Sequence, residues 1–110
     1  MLISAWIEEL TGQQRMVEDL TKKIAARCEA AVWARIQPLV GSMDPTESRG
    51  YIRARSTQVI ERESKVVIQG VDGVTPSIVE QVKRSVAETL VRQMVSRVAT
   101  QHPSELRRAA

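Results

Sequence analysis

The stretch IAARCEAAVWARIQPLV, residues 24–40, decides how this chain folds. It is the C-terminal part of a longer segment, residues 13–40, that is typical of one continuous helix. The apolar side chains of residues 24–40 fall on almost every side of that helix. A helix with one apolar face needs one neighbour, whereas a helix that is apolar on several sides must be enclosed. The stretch therefore predicts an all-α protein whose first helix is covered on more than one side.

Composition restricts the chain to one small domain with an aliphatic core. At 110 residues and 12.3 kDa, it lies near the size at which one core just stabilises a fold. It has no Phe, two Trp and one Tyr, and its single cysteine, Cys28, cannot form an internal disulfide. No secretory signal is apparent, and no apolar run approaches the roughly 20 residues of a membrane helix. We therefore expect a cytoplasmic protein that does not enter a membrane.

Proline, glycine and capping residues predict where the helices begin and end. Asp44 followed by Pro45 is typical of a helix start, and Thr75 followed by Pro76 repeats that pattern. Gly41 marks the end of the first helix. We predict three helices at about residues 3–40, 45–69 and 76–101, in one domain at 1–101 with a flexible tail at 102–110.

Two segments leave an alternative open. Gly12 could divide the first helix, because glycine costs roughly 1 kcal/mol relative to alanine inside a helix; we expect the helix to continue. Residues 65–69, KVVIQ, are β-branched enough for a short strand, but no comparable second strand is present to pair with it. We expect this segment to end the second helix.

A second surface on the first helix surrounds Trp33. Trp33 comes 27 residues after Trp6, which belongs to the broad apolar stripe that includes Ile24 and Cys28; at 3.6 residues per turn this is a half-integral number of turns, so Trp33 falls on the opposite face. The small side chains of Ala26 and Ala30 lie near it and would let another helix approach closely. The alternative is that Trp33 packs under the third helix of its own chain.

The length of the first helix favours a homodimer. It would run roughly 50 Å against roughly 35 to 40 Å for the other two helices, which cannot cover it fully. We therefore predict a three-helix arrangement with one long N-terminal helix, completed by dimerisation. The predicted interface consists of the Trp33 surface and the second half of the third helix: Ala26, Ala30, Trp33, Val91, Val95 and Val98.

The second and third helices each carry an apolar line. On the third helix the line steps by four residues, so it winds around the helix: Ile78, Val82, Val86, Leu90, Met94 and Val98. On the second helix, Ile52, Val59 and Val66 keep a seven-residue spacing. Glu63 projects into that second line. Because partly buried acids are nearly always paired, we predict a structural ion pair between Glu63 and an arginine of another helix.

Residues for most kinds of catalysis are missing from the sequence. The only histidine is His102, and no glutamate is followed by histidine three positions later, as helical di-iron sites require. No glycine-rich phosphate loop is present, and Cys28 falls on the apolar side of its helix. We predict no catalytic residue, no metal site and no cofactor, and we rank an enzyme third among the functions considered.

Arginines at the start of the second helix support the main alternative function. Residues 48–55, SRGYIRAR, combine three arginines with an aromatic side chain, and arginine beside an aromatic can bind phosphate or stack on a base. This alternative is a small basic nucleic-acid-binding regulator that uses Arg49, Arg53, Arg55, Lys83 and Arg84. These arginines flank opposite edges of the apolar line, however. We therefore favour a noncatalytic interaction protein that binds itself or an unidentified protein partner.

Overall fold

The computed structural model describes the backbone of residues 2–101 and the side chains of residues 11–101. It consists of three helices, α1 (Leu2–Val40), α2 (Pro45–Ile68) and α3 (Pro76–Gln101), each in contact with the other two. The part of the chain described contains no strand. The predicted all-α, three-helix fold is thus confirmed. The predicted tail at 102–110 lies outside the described residues.

Local hydrogen bonds explain where the helices begin and end. The Asp44 carboxylate accepts a hydrogen bond from the Glu47 backbone N–H at 2.8 Å, which caps α2 and lowers the pKa of Asp44. The Thr75 hydroxyl accepts from the Ile78 N–H at 3.2 Å at the start of α3. The Gln69 N–H donates to the Lys65 carbonyl at 3.1 Å. The KVVIQ segment is therefore helical.

Side-chain contacts show that the helices alternate in direction. Arg27 of α1 contacts Glu63 of α2, whereas Arg35, farther along α1, contacts Gln58, which comes earlier in α2. These two contacts make α1 and α2 antiparallel. None of the three helices, over the residues described, is long and apolar enough to cross a membrane.

The core between the helices is aliphatic, as the composition predicts. Every member of the winding line on α3 is buried: Ile78, Val82, Val86, Leu90, Met94 and Val98. Leu39 and Val66 were expected in the core, but they are 52% and 53% exposed. Each lies within the last three residues of its helix. Leu39 is exposed because it lies on the outer side of α1, since its neighbours Ile36 and Val40 are fully buried at the same end.

Small polar residues line the side of α2 that faces the core. Ser48, Ser56 and Ser64 are eight residues apart and at most 2% exposed. The Ser56 hydroxyl donates to the Ile52 carbonyl at 2.6 Å, so it is satisfied within its own helix. Such short side chains let α2 lie close against its neighbours. Hydrophobic periodicity does not identify Ser48 and Ser64, because serine does not contribute to an apolar pattern.

The position of Trp33 corrects the predicted dimer surface. Its side chain is only 7% exposed, and the Arg97 guanidinium lies 4.1 Å from the ring centroid. Val91 and Val98, which we also placed in the interface, are 8% and 1% exposed. These three side chains are covered by their own chain, so the prediction that they form a contact between copies is wrong.

The apolar line that winds around α3 explains why Trp33 is buried within its own chain. A ridge that steps by four residues rotates about 40° at each step, so the last turns of α3 reach the Trp33 side of α1. Trp33 therefore packs under α3, which was the alternative interpretation. Ala26 and Ala30 remain exposed, and Val95 is half-buried.

Candidate interaction surfaces

An open groove of about 520 Å³ runs between α1 and α3. We call it the α1–α3 groove. Its lining is Glu18, Thr21, Lys22, Ala25, Ala26 and Glu29 from α1, with Ser85, Thr89 and Gln93 from α3. It contains one residue of the predicted interface, Ala26. The other lining residues went unrecognised because most are polar or small and produce no apolar pattern.

The floor of the α1–α3 groove consists of small side chains and includes one hydroxyl without a hydrogen-bond partner. Ala25 is 2% exposed, while Ala26 is open to solvent. Thr21 is 7% exposed, and its Oγ1 atom has no hydrogen-bond partner among the residues described. A buried hydroxyl without a partner loses roughly 1–3 kcal/mol of solvation. Recovery of that loss by a second chain requires the neighbouring side chains to shift, because the oxygen atom itself is buried.

A second open groove, of about 610 Å³, runs between α2 and α3. We call it the α2–α3 groove. Its lining is Arg49 and Arg53 from α2, with Glu88, Val91, Arg92, Val95 and Ser96 from α3. Within the described part of the chain, none of the three guanidinium groups in this groove forms a hydrogen bond or an ion pair.

Only two of the five cations proposed for nucleic-acid contact lie in this groove. Arg49 and Arg53 line it, whereas the guanidinium of Arg55 lies 5.4 Å from the Tyr51 ring centroid. The Lys83 ammonium is 3.1 Å from a Glu61 carboxylate oxygen.

Arg84 is exposed and lines neither groove. The five cations therefore do not form one surface, in agreement with their positions on opposite edges of the apolar line. Tertiary structure brings Arg92 next to Arg49 and Arg53 instead. Local sequence could not indicate this neighbour, because Arg92 is about forty residues away from both.

The predicted ion pair of Glu63 is present between α1 and α2. Arg27 Nε lies 2.8 Å from Glu63 Oε2, Arg62 Nε lies 3.6 Å from Oε1, and the Glu63 side chain is 15% exposed. Cys28 lies near this pair. Burial, aided by the charge of Glu63, raises the pKa of the Cys28 thiol to about 11. The thiol is therefore protonated near neutral pH and is a poor nucleophile.

The two grooves are open to solvent, and neither lining includes a His or Cys side chain. Among the residues described, no cluster of three His, Cys, Asp or Glu side chains could hold a metal ion. No family model, curated protein or solved structure matches this chain. Its function must therefore be argued from its own surfaces.

Proposed function

We propose that the protein is a noncatalytic helical interaction protein that forms a homodimer through the α1–α3 groove. The single observation that carries this proposal is the groove floor, because exposed Ala26 and Thr21, whose hydroxyl is unsatisfied, line the same groove. Small side chains allow two helix axes to approach to roughly 8 Å, the short end of the usual range. The cytoplasm is the proposed location, because the single thiol suits a reducing compartment.

The charges along α1 support a second copy as the occupant. Lys22 lies three residues before Ala25, and Glu29 lies three residues after Ala26. If two α1 helices pack antiparallel with the two-fold axis between Ala25 and Ala26, Lys22 of each copy lies opposite Glu29 of the other. The surface is thus complementary to itself, as a two-fold contact requires.

The lengths of the helices also favour this arrangement. α1 is assigned 39 residues, whereas α2 and α3 have 24 and 26. An antiparallel second copy would cover part of α1 that the two shorter helices do not reach. The proposed long N-terminal helix would then be completed by dimerisation, with the α1–α3 groove replacing the Trp33 surface as the contact.

A charge swap tests the proposed register. Lys22→Glu alone, or Glu29→Lys alone, places like charges opposite each other twice across the two-fold axis. Each single variant should raise the dimer Kd about tenfold, since two exposed pairs contribute roughly 0.5–1 kcal/mol each. The double variant should restore wild-type affinity. Sedimentation equilibrium across micromolar concentrations measures all four proteins.

Lys23→Glu is the matched control for this experiment. Lys23 is exposed and adjacent to Lys22, but it does not line the groove. It makes the same change in net charge and should leave the dimer Kd within about twofold, as surface pairs rarely contribute more. A wild-type protein that stays monomeric throughout the concentration series contradicts the proposal.

A further inference from the structure

The α2–α3 groove has an unbalanced set of charges. Arg49, Arg53 and Arg92 line it with a single carboxylate, that of Glu88. Several arginines elsewhere in the described chain have partners: Arg27 and Arg62 pair with Glu63, and Arg35 bonds Gln58. The three groove arginines have none, so fifteen guanidinium N–H donors, roughly five per group, face one opening.

The positions of these groups define a row of positive charge. Arg49 and Arg53 are four residues apart on α2, so they lie on one side of that helix, roughly 6 Å apart along its axis. Arg92 faces them from α3. It also lines an adjacent open pocket, together with Arg97. A row of this kind matches a ligand that carries several anionic groups in sequence.

The floor of the groove separates two classes of polyanionic ligand. An acidic helix from a partner protein would need apolar anchors, and the floor offers only Val91, which is 8% exposed, and half-buried Val95. The large exposed hydrophobic side chains, Leu39 and Val66, do not line this groove. A nucleic-acid backbone needs no such anchor, because it is held by charge and by donors to its phosphate oxygens.

We propose that the α2–α3 groove binds the phosphodiester backbone of a nucleic acid through Arg49, Arg53 and Arg92. Guanidinium groups suit this role because their planar donor fork bonds two phosphate oxygens at once. The net charge of +3 attracts such a polyanion at long range. This site shares no residue with the α1–α3 groove, so it goes beyond the proposed dimer and does not depend on it.

Fluorescence anisotropy with labelled oligothymidine and with a labelled DNA duplex tests the site. Three phosphate contacts predict that log K falls against log salt with a slope of about −2 for the single strand and about −2.7 for the duplex. Arg92→Ala should weaken binding about fivefold or more and reduce the magnitude of each slope by about 0.7 to 0.9.

Arg84→Ala is the control, because it removes the same charge from an exposed position on α3 outside the groove. It should change affinity by less than about twofold, the effect of net charge alone. Equal losses for Arg84→Ala and Arg92→Ala would overturn the proposal, and so would the absence of binding at about 50 mM salt.

Two competitors distinguish the chemistry of the ligand. Unlabelled oligothymidine should displace the probe, whereas poly-glutamate of equal charge should displace it much less. Stronger displacement by poly-glutamate would assign the groove to an acidic protein and overturn the nucleic-acid proposal. Lys22→Glu, which should disrupt the dimer, leaves the groove intact and should still bind the oligonucleotide, so failure of one proposal is distinguishable from failure of the other.

Discussion

The two grooves on either side of α3 differ in the balance of their charges. The α1–α3 groove alternates sign, with Lys22 between Glu18 and Glu29, above a floor of alanine and threonine. The α2–α3 groove holds three arginines and one glutamate. The helix α3 therefore borders a groove with both signs of charge on one side and a basic groove on the other.

This difference determines what each groove can bind. A two-fold contact brings a surface onto itself, so a charged surface is complementary to itself only if it carries both signs of charge. The α1–α3 groove carries both signs. In the α2–α3 groove, a second copy would place arginine opposite arginine. The ligand proposed for that groove is therefore a different molecule that carries negative charge.

The largest effect is expected from a substitution on the core side of α3, because α3 lines both grooves. Leu90 of α3 is completely buried, so Leu90→Ala should lower the free energy of unfolding by about 2–5 kcal/mol and weaken both binding activities together. Urea denaturation measures this change. Leu39→Ala is the control: the same substitution at a side chain that is 52% exposed should change stability by less than about 1 kcal/mol. Similar losses at the two sites would contradict the assigned core.

A substitution with a smaller effect on stability should alter the α1–α3 groove and leave the α2–α3 groove unchanged. Thr21→Val replaces the unsatisfied hydroxyl with a methyl group of similar size, so it should stabilise the monomer by about 1 kcal/mol while weakening the proposed dimer. Oligonucleotide binding should not change. Thr89→Val in the same groove removes a hydroxyl that donates to the Ser85 carbonyl at 2.8 Å, so it should not stabilise the fold. Loss of monomer stability in Thr21→Val would show that its hydroxyl is already bonded.

The last effect is confined to alkaline pH and concerns Cys28, near the ion pair between α1 and α2. The pKa of Cys28 is raised from 9.0 to about 11 in the folded protein, so its protonated form is favoured by folding. This contribution to stability is complete below pH 9 and is lost as pH rises through about 11. Wild-type protein should therefore lose more stability than Cys28→Ala over that range, measured by urea denaturation at each pH. Equal losses in both proteins would contradict the raised pKa.

The successful sequence predictions rest on local patterns. Asp44 with Pro45 located the start of α2, and the four-residue steps on α3 identified its buried line. The predictions that failed required knowledge of which helix lies against which side of α1. Trp33 was placed on the face of α1 opposite the main stripe and assigned to a dimer contact, because the sequence does not reveal that Arg97 and the end of α3 cover it.

Three helices, their ends and an aliphatic core follow from the sequence alone, because capping and hydrophobic periodicity act within a few residues along the chain. Helix packing was needed to bring Arg92 next to Arg49 and Arg53, and to place exposed Ala26 beside α3. Such groupings depend on how each helix is rotated against the others. That rotation is set by packing of the whole core, not by any local segment.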